Sequence, residues 1–248
     1  WAGDYHLNYN HQAPWWGAFS SNHPELAAPY DTPILEYLTI ARDNARRYLQ
    51  VRGVYYDVGI GPKGLESTFM PDGHGMPGEG NRMFLGQKSN AAFCTANMFM
   101  RFYHTYDLDY ARLVYPFLVE VANFWEDYLK FENGRYVIYN DAIHEGSGDN
   151  MNPILSLGLV RTLFHSMLAM STELGMDEDK RAKWRDILDR ISAYPTQERG
   201  GKTVFRYSER GTAWWDGNTL GMQHIFPAGA IGLDSDPKLV ELCHTTIA

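Results

Sequence analysis

Apolar residues recur at helical spacing along most of the chain. In residues 31–49, Ile34, Leu38 and Ala41 follow the 3.6-residue period of one helix face. The same pattern predicts helices over residues 31–49, 90–106, 110–131, 153–175, 177–194 and 234–248. The second of these segments is apolar almost all round, which is typical of a buried helix.

Single residues indicate where some of these helices begin, bend and end. Pro116 falls inside the third pattern and predicts a kink or a break near residue 115, because proline cannot donate the helical hydrogen bond. Pro153 and Gly175 stand at the two ends of the fourth pattern, where proline and glycine are favoured.

Between the first two helices lies a long segment that predicts a loop. Residues 57–90 hold eight glycines and three prolines, a density at which we expect no regular element. Phe69, Met70 and Phe84 indicate that the loop packs onto something, so we expect an ordered active-site or lid loop. Short strands are predicted within residues 134–140 and 202–209.

The predicted fold is mainly α, a single domain over residues 1–248 with long helices in antiparallel pairs. The loops between them alternate between short and long, and no strand–helix alternation of a parallel sheet is visible. The chain begins with Trp1 rather than Met, and its last helical pattern has no stop signal. We therefore expect a fragment of a longer protein, truncated at both ends.

Composition excludes several function classes. A net charge of −8, from 22 basic and 30 acidic residues, disfavours nucleic acid as a partner, because such binding needs a basic footprint. No apolar run approaches the roughly 18 residues that would predict a membrane span. Cys94 and Cys243 both lie in apolar helical patterns, which predicts buried free thiols. Aromatic residues make up 14% of the chain, enough for a large core or for a sugar-binding groove.

Three polar segments interrupt the apolar pattern: the opening stretch, residues 141–152 and residues 214–224. Loops of this kind, gathered at one end of a helical barrel, would converge on a cavity. Glu145 is a candidate general acid, because a partly buried glutamic acid can protonate a leaving glycosidic oxygen. Asp141 and Asp149 are neighbouring carboxylates that could take the same part, and a solvated or helix-capping role for Glu145 remains open.

Asn8 and Asn10 are candidates for handling water or sugar hydroxyls. In an extended strand, residues two apart point to the same side, so both amides would share one face. Each amide offers two donors and an acceptor. Satisfaction of backbone groups at a helix entry is the alternative.

The sequence predicts no metal and no cofactor. The nine histidines do not form zinc-binding spacings, and neither cysteine completes one. The segment Gly-Ile-Gly-Pro-Lys-Gly lacks the strand–helix context of a nucleotide-binding loop, and no Gly-x-Ser-x-Gly is present.

The opening stretch resembles a motif of glycoside hydrolase family 95, the 1,2-α-L-fucosidase family, which reads roughly Asp-Tyr-His-x-Asn-x-Asn-x-Gln followed by aromatics. The matching positions are Asp4, Tyr5, His6, Asn8, Asn10 and Gln12. Residues 90–129 resemble the helical hairpin of the family, and residues 224–232 resemble its Phe-Pro-Gly segment.

The resemblance implies an (α/α)6 toroid of the six-hairpin glycosidase type and an inverting hydrolase acting on an oligosaccharide or polysaccharide. Carried over, the general acid is Glu145, and Asn8 and Asn10 help a partner Asp, expected beyond Ala248, to activate water. Candidate substrate-binding residues are Asp4, His6, Gln12, Trp15, Trp16, Asp57, His144, Trp214, Trp215 and His224. By analogy with the family, an extracellular or periplasmic location is favoured.

This sequence also departs from the family pattern. Glu145 lies in His-Glu-Gly rather than Ser-Pro-Glu, and Tyr-Tyr-Asp-Val-Gly at residues 55–59 replaces a paired histidine and Thr-Asp. Two alternatives therefore stay beside hydrolysis of a terminal sugar such as α-L-fucose. One is a polysaccharide lyase or phosphorylase built on the same toroid, with Tyr5, His6 and Asn8 as the lyase residues. The other is a non-catalytic carbohydrate-binding relative.

Overall fold

The computed structural model describes residues 3–65, 86–144, 148–214, 216 and 220–247. Within these residues the protein is mainly helical, as predicted. The α-helices are α1 Trp16–Ser20, α2 Asp31–Glu36, α3 Leu38–Asn44, α4 Asn90–Thr105, α5 Leu108–Tyr128, α6 Ile154–Leu174, α7 Arg181–Arg190 and α8 Pro237–Ile247. Four short antiparallel strand pairs accompany them, with α4, α5 and α6 as the longest elements.

The first predicted helix is divided rather than continuous. Helices α2 and α3 are separated at Tyr37, and a π-helical turn, Ala45–Leu49, continues α3. Backbone bonds cross the division, since the Tyr37 N–H donates to Pro33 O and the Ala41 N–H to Tyr37 O. Gln50 in the left-handed region then ends the segment.

A kink or a break was predicted near residue 115, and of these the break does not occur. Helix α5 runs without interruption from Leu108 to Tyr128, with Pro116 in its interior. Pro116 lies on the exposed side of the helix, where water can reach the carbonyl that loses its amide partner. The apolar face of α5, which includes the fully buried Trp125, packs against the core and keeps the helix together.

Helices α4 and α5 pack on each other across a short connection, and so do α6 and α7. Tyr106, with φ of 49°, ends α4, and the next residue, Asp107, caps α5. Gly175 ends α6 as predicted, with φ of 65°. Helix α6 packs against α4, α5 and α7, so it is the central helix of the described core.

The strands are short and form four two-stranded antiparallel sheets. β3 Lys130–Glu132 and β4 Arg135–Val137 form a hairpin, as do β6 Thr196–Arg199 and β7 Lys202–Phe205. The strands predicted within residues 134–140 and 202–209 are thereby confirmed. Two further pairs join distant segments: β1 Tyr5–His6 with β2 Gly59–Ile60, and β5 Met151–Pro153 with β8 Ser208–Arg210.

Two other predictions concern the thiols and the glycine-rich loop. Cys94 and Cys243 are buried and free, as expected. Part of the segment 57–90 does form regular structure, namely β2 and a 3-10 turn, Pro62–Gly64. Residues 66–85, on which the lid-loop prediction rests, lie outside the described residues.

Among the described residues, one helix meets the length and composition criteria for crossing a membrane. Helix α6 has a mean hydropathy of 1.4 over its most apolar window, and 72% of that window is buried inside the protein. The same properties belong to the core helix of a globular fold, which is the position that α6 occupies here.

Candidate functional site

The opening stretch is attached to the segment at residues 57–60. Tyr5 pairs with Ile60 and His6 with Gly59 in a two-residue antiparallel ladder. The Leu7 N–H then donates to Val58 O at 2.6 Å, which extends the pairing by one residue. The motif residues that follow His6 therefore begin beside the loop that carries Asp57.

Asn8 and Asn10 do not share a face, which corrects the expectation of an extended strand. Residues 7–12 form consecutive turns, with the His11 N–H donating to His6 O at 2.8 Å and the Gln12 N–H to Tyr9 O at 3.1 Å. Alternation with a period of two requires a strand and is lost in a turn. Asn8 is therefore buried, with 1% exposure, whereas Asn10 is exposed.

Gln12 holds this turn against α4. Its Nε2 donates to Leu7 O at 2.5 Å and lies 3.7 Å from the Cys94 thiol, while the backbone carbonyl of Gln12 accepts from Asn97 Nδ2 at 3.0 Å. The side chain is fully buried. Its position is that of a residue that supports the turn from beneath, rather than one that meets a substrate.

The two tryptophans of the opening stretch are half-buried and occupy different surroundings. Trp16 donates from Nε1 to Asn97 Oδ1 at 2.9 Å and packs edge-on against Tyr9 and Phe226. Trp15 instead packs edge-on against the buried ring of Tyr30. Phe226 is 55% exposed, so the Trp16–Phe226 pair forms an aromatic surface open to solvent.

Of the other two candidate tryptophans, Trp214 lies shortly after β8. Trp214 is half-buried, packs on Tyr207 at 5.3 Å and carries the Arg199 guanidinium 4.4 Å from its ring centroid. Trp215 lies outside the described residues. The described tryptophan therefore already stacks with a protein cation on one face.

The loop that carries Glu145 is closed at its base by Asp141 and Asn150. The Asp141 N–H donates to Asn150 O at 3.2 Å, and the Asn150 N–H donates to Asp141 O at 3.0 Å. His144, half-buried, belongs to the described part of this loop, whereas Glu145 lies outside the described residues. Asp149 is exposed, with φ of 61°.

Asp141 itself is fully buried at the N-terminal ends of α4 and α6. Its Oδ1 accepts from the Lys88 N–H at 2.7 Å and its Oδ2 from Ser156 Oγ at 2.5 Å. Burial raises the pKa of Asp141 to about 6, an effect that the nearby Lys88 ammonium opposes.

The opening turn, the segment that carries Asp57 and the base of the Glu145 loop all lie near the start of α4. Asn90, the first residue of α4, donates from Nδ2 to Tyr56 O at 3.2 Å. Lys88, two residues earlier, contacts Asp141 through its backbone, as described above. The opening turn, the segment at residues 55–60 and the base of the Glu145 loop therefore all lie around the first turns of α4.

Three further candidate residues are placed by local contacts. Asp57 is buried and accepts from Tyr37 Oη at 2.9 Å. Asp4 and His6 are partly exposed and therefore accessible from solvent. His6 Nδ1 lies 3.2 Å from Asp4 Oδ1.

His224 belongs to the core and has no access to a substrate, contrary to expectation. Its ring is fully buried, 4.4 Å from the Phe205 ring centroid and 4.9 Å from that of Tyr194. Burial lowers the pKa of His224 to about 3, so the imidazole is neutral at physiological pH.

The sequence patterns did not predict a set of buried polar residues around the helix ends. They are Lys88, Asn90, Asn150, Asn152 and Ser156. A signal for them exists in the sequence, because Gln-Lys-Ser-Asn at residues 87–90 and Asn-Met-Asn at residues 150–152 stand directly before apolar helices. Buried polar groups at such positions need partners, and those partners lie far away in the chain.

A cavity of about 620 Å³ lies apart from this polar cluster. It is bordered by the later turns of α4, by α6 from Arg161 to Ser166 and by residues 227–235. None of the described candidate site residues lines it. Within the described part of the chain, no group of three or more His, Cys, Asp or Glu side chains could hold a metal ion.

Comparison with protein families gives a match over nearly the whole chain. The model of the glycosyl hydrolase family 95 catalytic domain covers residues 1–247. The chain belongs to glycoside hydrolase family 95. This confirms the resemblance seen in the opening motif, and the helical hairpins confirm the fold class, mainly α and of the (α/α)6 toroid type.

Other comparisons add little about activity. No curated protein sequence matches this family 95 chain. Among solved structures, a candidate kojibiose phosphorylase from the human microbiome resembles it with a TM-score of 0.49 and 12% sequence identity. The similarity covers 63% of this chain and 21% of that one, so the chain spans about a fifth of the length of that structure. Family 95 membership places the chain among the catalytic domains of that family.

Proposed function

We propose that the protein is an inverting glycoside hydrolase that removes a terminal sugar from an oligosaccharide or polysaccharide. Glu145 is the general acid, and Asn8 and Asn10 help to place the attacking water. The proposal is supported by the family 95 match over residues 1–247, together with the contacts that Gln12 of the opening motif and Asp141 at the base of the Glu145 loop make with the first turns of α4 and the residues just before it.

The two asparagines take different parts in this proposal. Asn10 is exposed at the turn and is available to a water or a sugar hydroxyl. Asn8 belongs to the same turn but is buried, so in this proposal it contacts the water from the side of the protein interior. An inverting enzyme leaves room for that water, because its two catalytic carboxyl groups stand roughly 6.5–9.5 Å apart.

The sugar most consistent with the opening motif is α-L-fucose. Asp4 and His6 precede the turn and are accessible, and the aromatic surface of Trp16 and Phe226 offers an apolar face for a sugar ring. Trp215 and His144 complete the set of proposed contacts. His224 is left out, since its ring is enclosed in the core.

The test is a Glu145→Gln variant, assayed with α-L-fucosides and a panel of other aryl glycosides. Loss of a general acid lowers turnover by about 10²- to 10⁴-fold, so we expect a fall of that order in kcat. Asp149→Asn is the matched control: it makes the same acid-to-amide change in the same loop, and asparagine tolerates the positive φ at this position. Unchanged turnover by Glu145→Gln would contradict the assignment.

The reaction type is tested on the same samples. Nuclear magnetic resonance of the first-formed sugar reports its anomeric configuration, and inversion is expected. Turnover that requires inorganic phosphate and yields a sugar 1-phosphate would instead support a phosphorylase. Release of an unsaturated product absorbing in the ultraviolet would support a lyase, and sugar binding without turnover would support a binding protein.

A further inference from the structure

Both ends of the loop that carries Glu145 are held by buried side chains. At the second end, Asn150 Oδ1 accepts from the Thr212 N–H at 2.7 Å and from Ser208 Oγ at 3.2 Å. The chain approaches this amide so closely at Gly211, where φ is +104°, that an added Cβ would lie 2.2 Å from Oδ1. The second end is thus fastened to β8 and the residues after it.

The first end is fastened by Asp141, and it is fastened to two helices at once. Lys88, which donates its N–H to Oδ1, stands just before α4, and Ser156, which donates its hydroxyl to Oδ2, lies in the first turn of α6. Helix N-termini favour a negative charge, because their amide dipoles point towards it. One carboxylate therefore ties the start of the loop to the junction of α4 and α6.

A buried cation accompanies this carboxylate. Lys88 is 2% exposed, and its Nζ donates to Gly86 O at 2.9 Å and to Asn140 O at 2.8 Å. The Tyr55 ring centroid is 5.6 Å from Nζ. Asn140 directly precedes Asp141, so the ammonium holds the same stretch of backbone that the carboxylate fastens.

We propose that Asp141 is a positioning residue for the proposed reaction, setting the place of the chain segment that carries the proton donor. This inference rests on the proposed function, since the donor is Glu145, four residues further along the chain. Asp141 is fully buried with both oxygens occupied, so it acts through the backbone that follows it rather than by touching the sugar. Lys88 and Ser156 are its partners in this role.

Leaving-group dependence separates positioning of an acid from general support of the fold. A disaccharide needs a proton on its leaving oxygen, whereas the fluoride of a glycosyl fluoride leaves with little such help. For Asp141→Asn we expect kcat on an α-L-fucosyl disaccharide to fall about 10- to 100-fold with little change in KM. Turnover of α-L-fucosyl fluoride should stay within about threefold of the parent. If the parent prefers another sugar in the panel, the fluoride and disaccharide of that sugar replace these probes.

Two further variants show whether a loss of activity comes from misfolding. Asp141→Asn leaves the Lys88 ammonium buried without its counter-charge, so the double variant with Lys88→Met removes both charges together. Ser156→Ala removes one donor only and should show the same substrate dependence to a smaller degree. Equal loss on both substrates, in proportion to the fraction of folded protein, would overturn the proposal.

Hydrogen exchange gives a readout that does not depend on activity. In Asp141→Asn, amides of peptides covering residues 142–150 should exchange at least about tenfold faster, while peptides from the centre of α5 keep their parental rates. Unchanged exchange in residues 142–150 would refute the positioning role. A parent protein that cleaves no glycoside would refute the proposed function instead, and the exchange result would then decide about Asp141 by itself.

Discussion

At the scale of a single residue, a close contact between Gly158 of α6 and His224 constrains what the chain can carry. A Cβ at position 158 would lie 2.6 Å from His224 Cβ and 2.8 Å from its Cα. The histidine cannot move away easily, because its ring is enclosed by Tyr194 and Phe205. Glycine is therefore needed at this position to let the chain at residue 224 lie directly on α6.

We expect Gly158→Ala to lower the free energy of unfolding by about 1–3 kcal/mol, the cost of inserting a methyl group into a packed interior. Urea denaturation of the parent and the variant measures this difference in unfolding free energy. The control is Gly17→Ala in α1, where nothing lies within 4 Å of the new Cβ. Alanine there should be neutral or stabilising by up to about 1 kcal/mol, since it favours helix. Equal stability of the two variants would contradict the proposed contact.

Helix ends decide how the elements are arranged, and the α4–α5 hairpin shows it most clearly. A single left-handed residue, Tyr106, stops α4, and Asp107 starts α5 by accepting from the backbone N–H groups of Asp109 and Tyr110 at 2.9 and 3.0 Å. With so short a connection the two helices must run side by side in opposite directions.

Removing this cap should weaken the hairpin measurably. For Asp107→Ala we expect a loss of about 1 kcal/mol in unfolding free energy, because two amides at the start of α5 lose their acceptor. Asp107→Asn keeps a side-chain oxygen in place and should retain most of the stability. Thermal and urea denaturation of the three proteins would test it, and identical curves for the alanine and asparagine variants would argue against a capping role.

For the whole molecule, a buried carboxyl links three helices and makes stability depend on pH. Asp31, the first residue of α2, lies 3.3 Å from the Arg101 guanidinium of α4 and accepts from Tyr110 Oη of α5. Burial raises the pKa of Asp31 to about 6, although Arg101 and the tyrosine oppose the shift. The ordinary pKa of an aspartic acid is 3.8, which serves as the reference for the unfolded chain.

The sign of the pH effect follows from this upward shift. Between pH 6 and pH 4 the folded protein holds a proton at Asp31 that the unfolded chain releases, so falling pH favours the folded state at this site. The contribution is fully present below the unfolded pKa and is lost as pH rises through about 6. Asp127, whose pKa Arg52 lowers, acts in the opposite direction.

We therefore compare the parent with Asp31→Asn at several pH values. Relative to the variant, the parent should gain up to about 3 kcal/mol of unfolding free energy between pH 7 and pH 4. Thr32→Ala, a neighbouring exposed change without a titrating group, should keep a constant difference from the parent. A parent–Asp31→Asn difference that is flat over this range would count against the raised pKa.

The residues that sequence patterns placed correctly are those whose position depends on near neighbours. Gly175 ends α6 because a residue after a helix adopts a left-handed conformation, which glycine accepts without strain. Family membership was visible in the spacing of six residues in the opening motif. The exposure of Asn8, Asn10 and His224 was not visible in the sequence, because it depends on how the chain turns and on which residues cover each side chain.

Sequence alone thus determined the mainly helical class, most helix ends and the family, since helical periodicity, capping residues and a short motif are local properties. Only the tertiary structure decided that α5 continues through Pro116, that the turn at residues 7–12 separates two neighbouring amides, and that Asp141 joins two helix ends. The last contact pairs residues 53 positions apart, and the partner of a buried carboxylate is set by how the helices assemble. No local pattern encodes that choice, because burial, and with it the need for a partner, exists only once the core has formed.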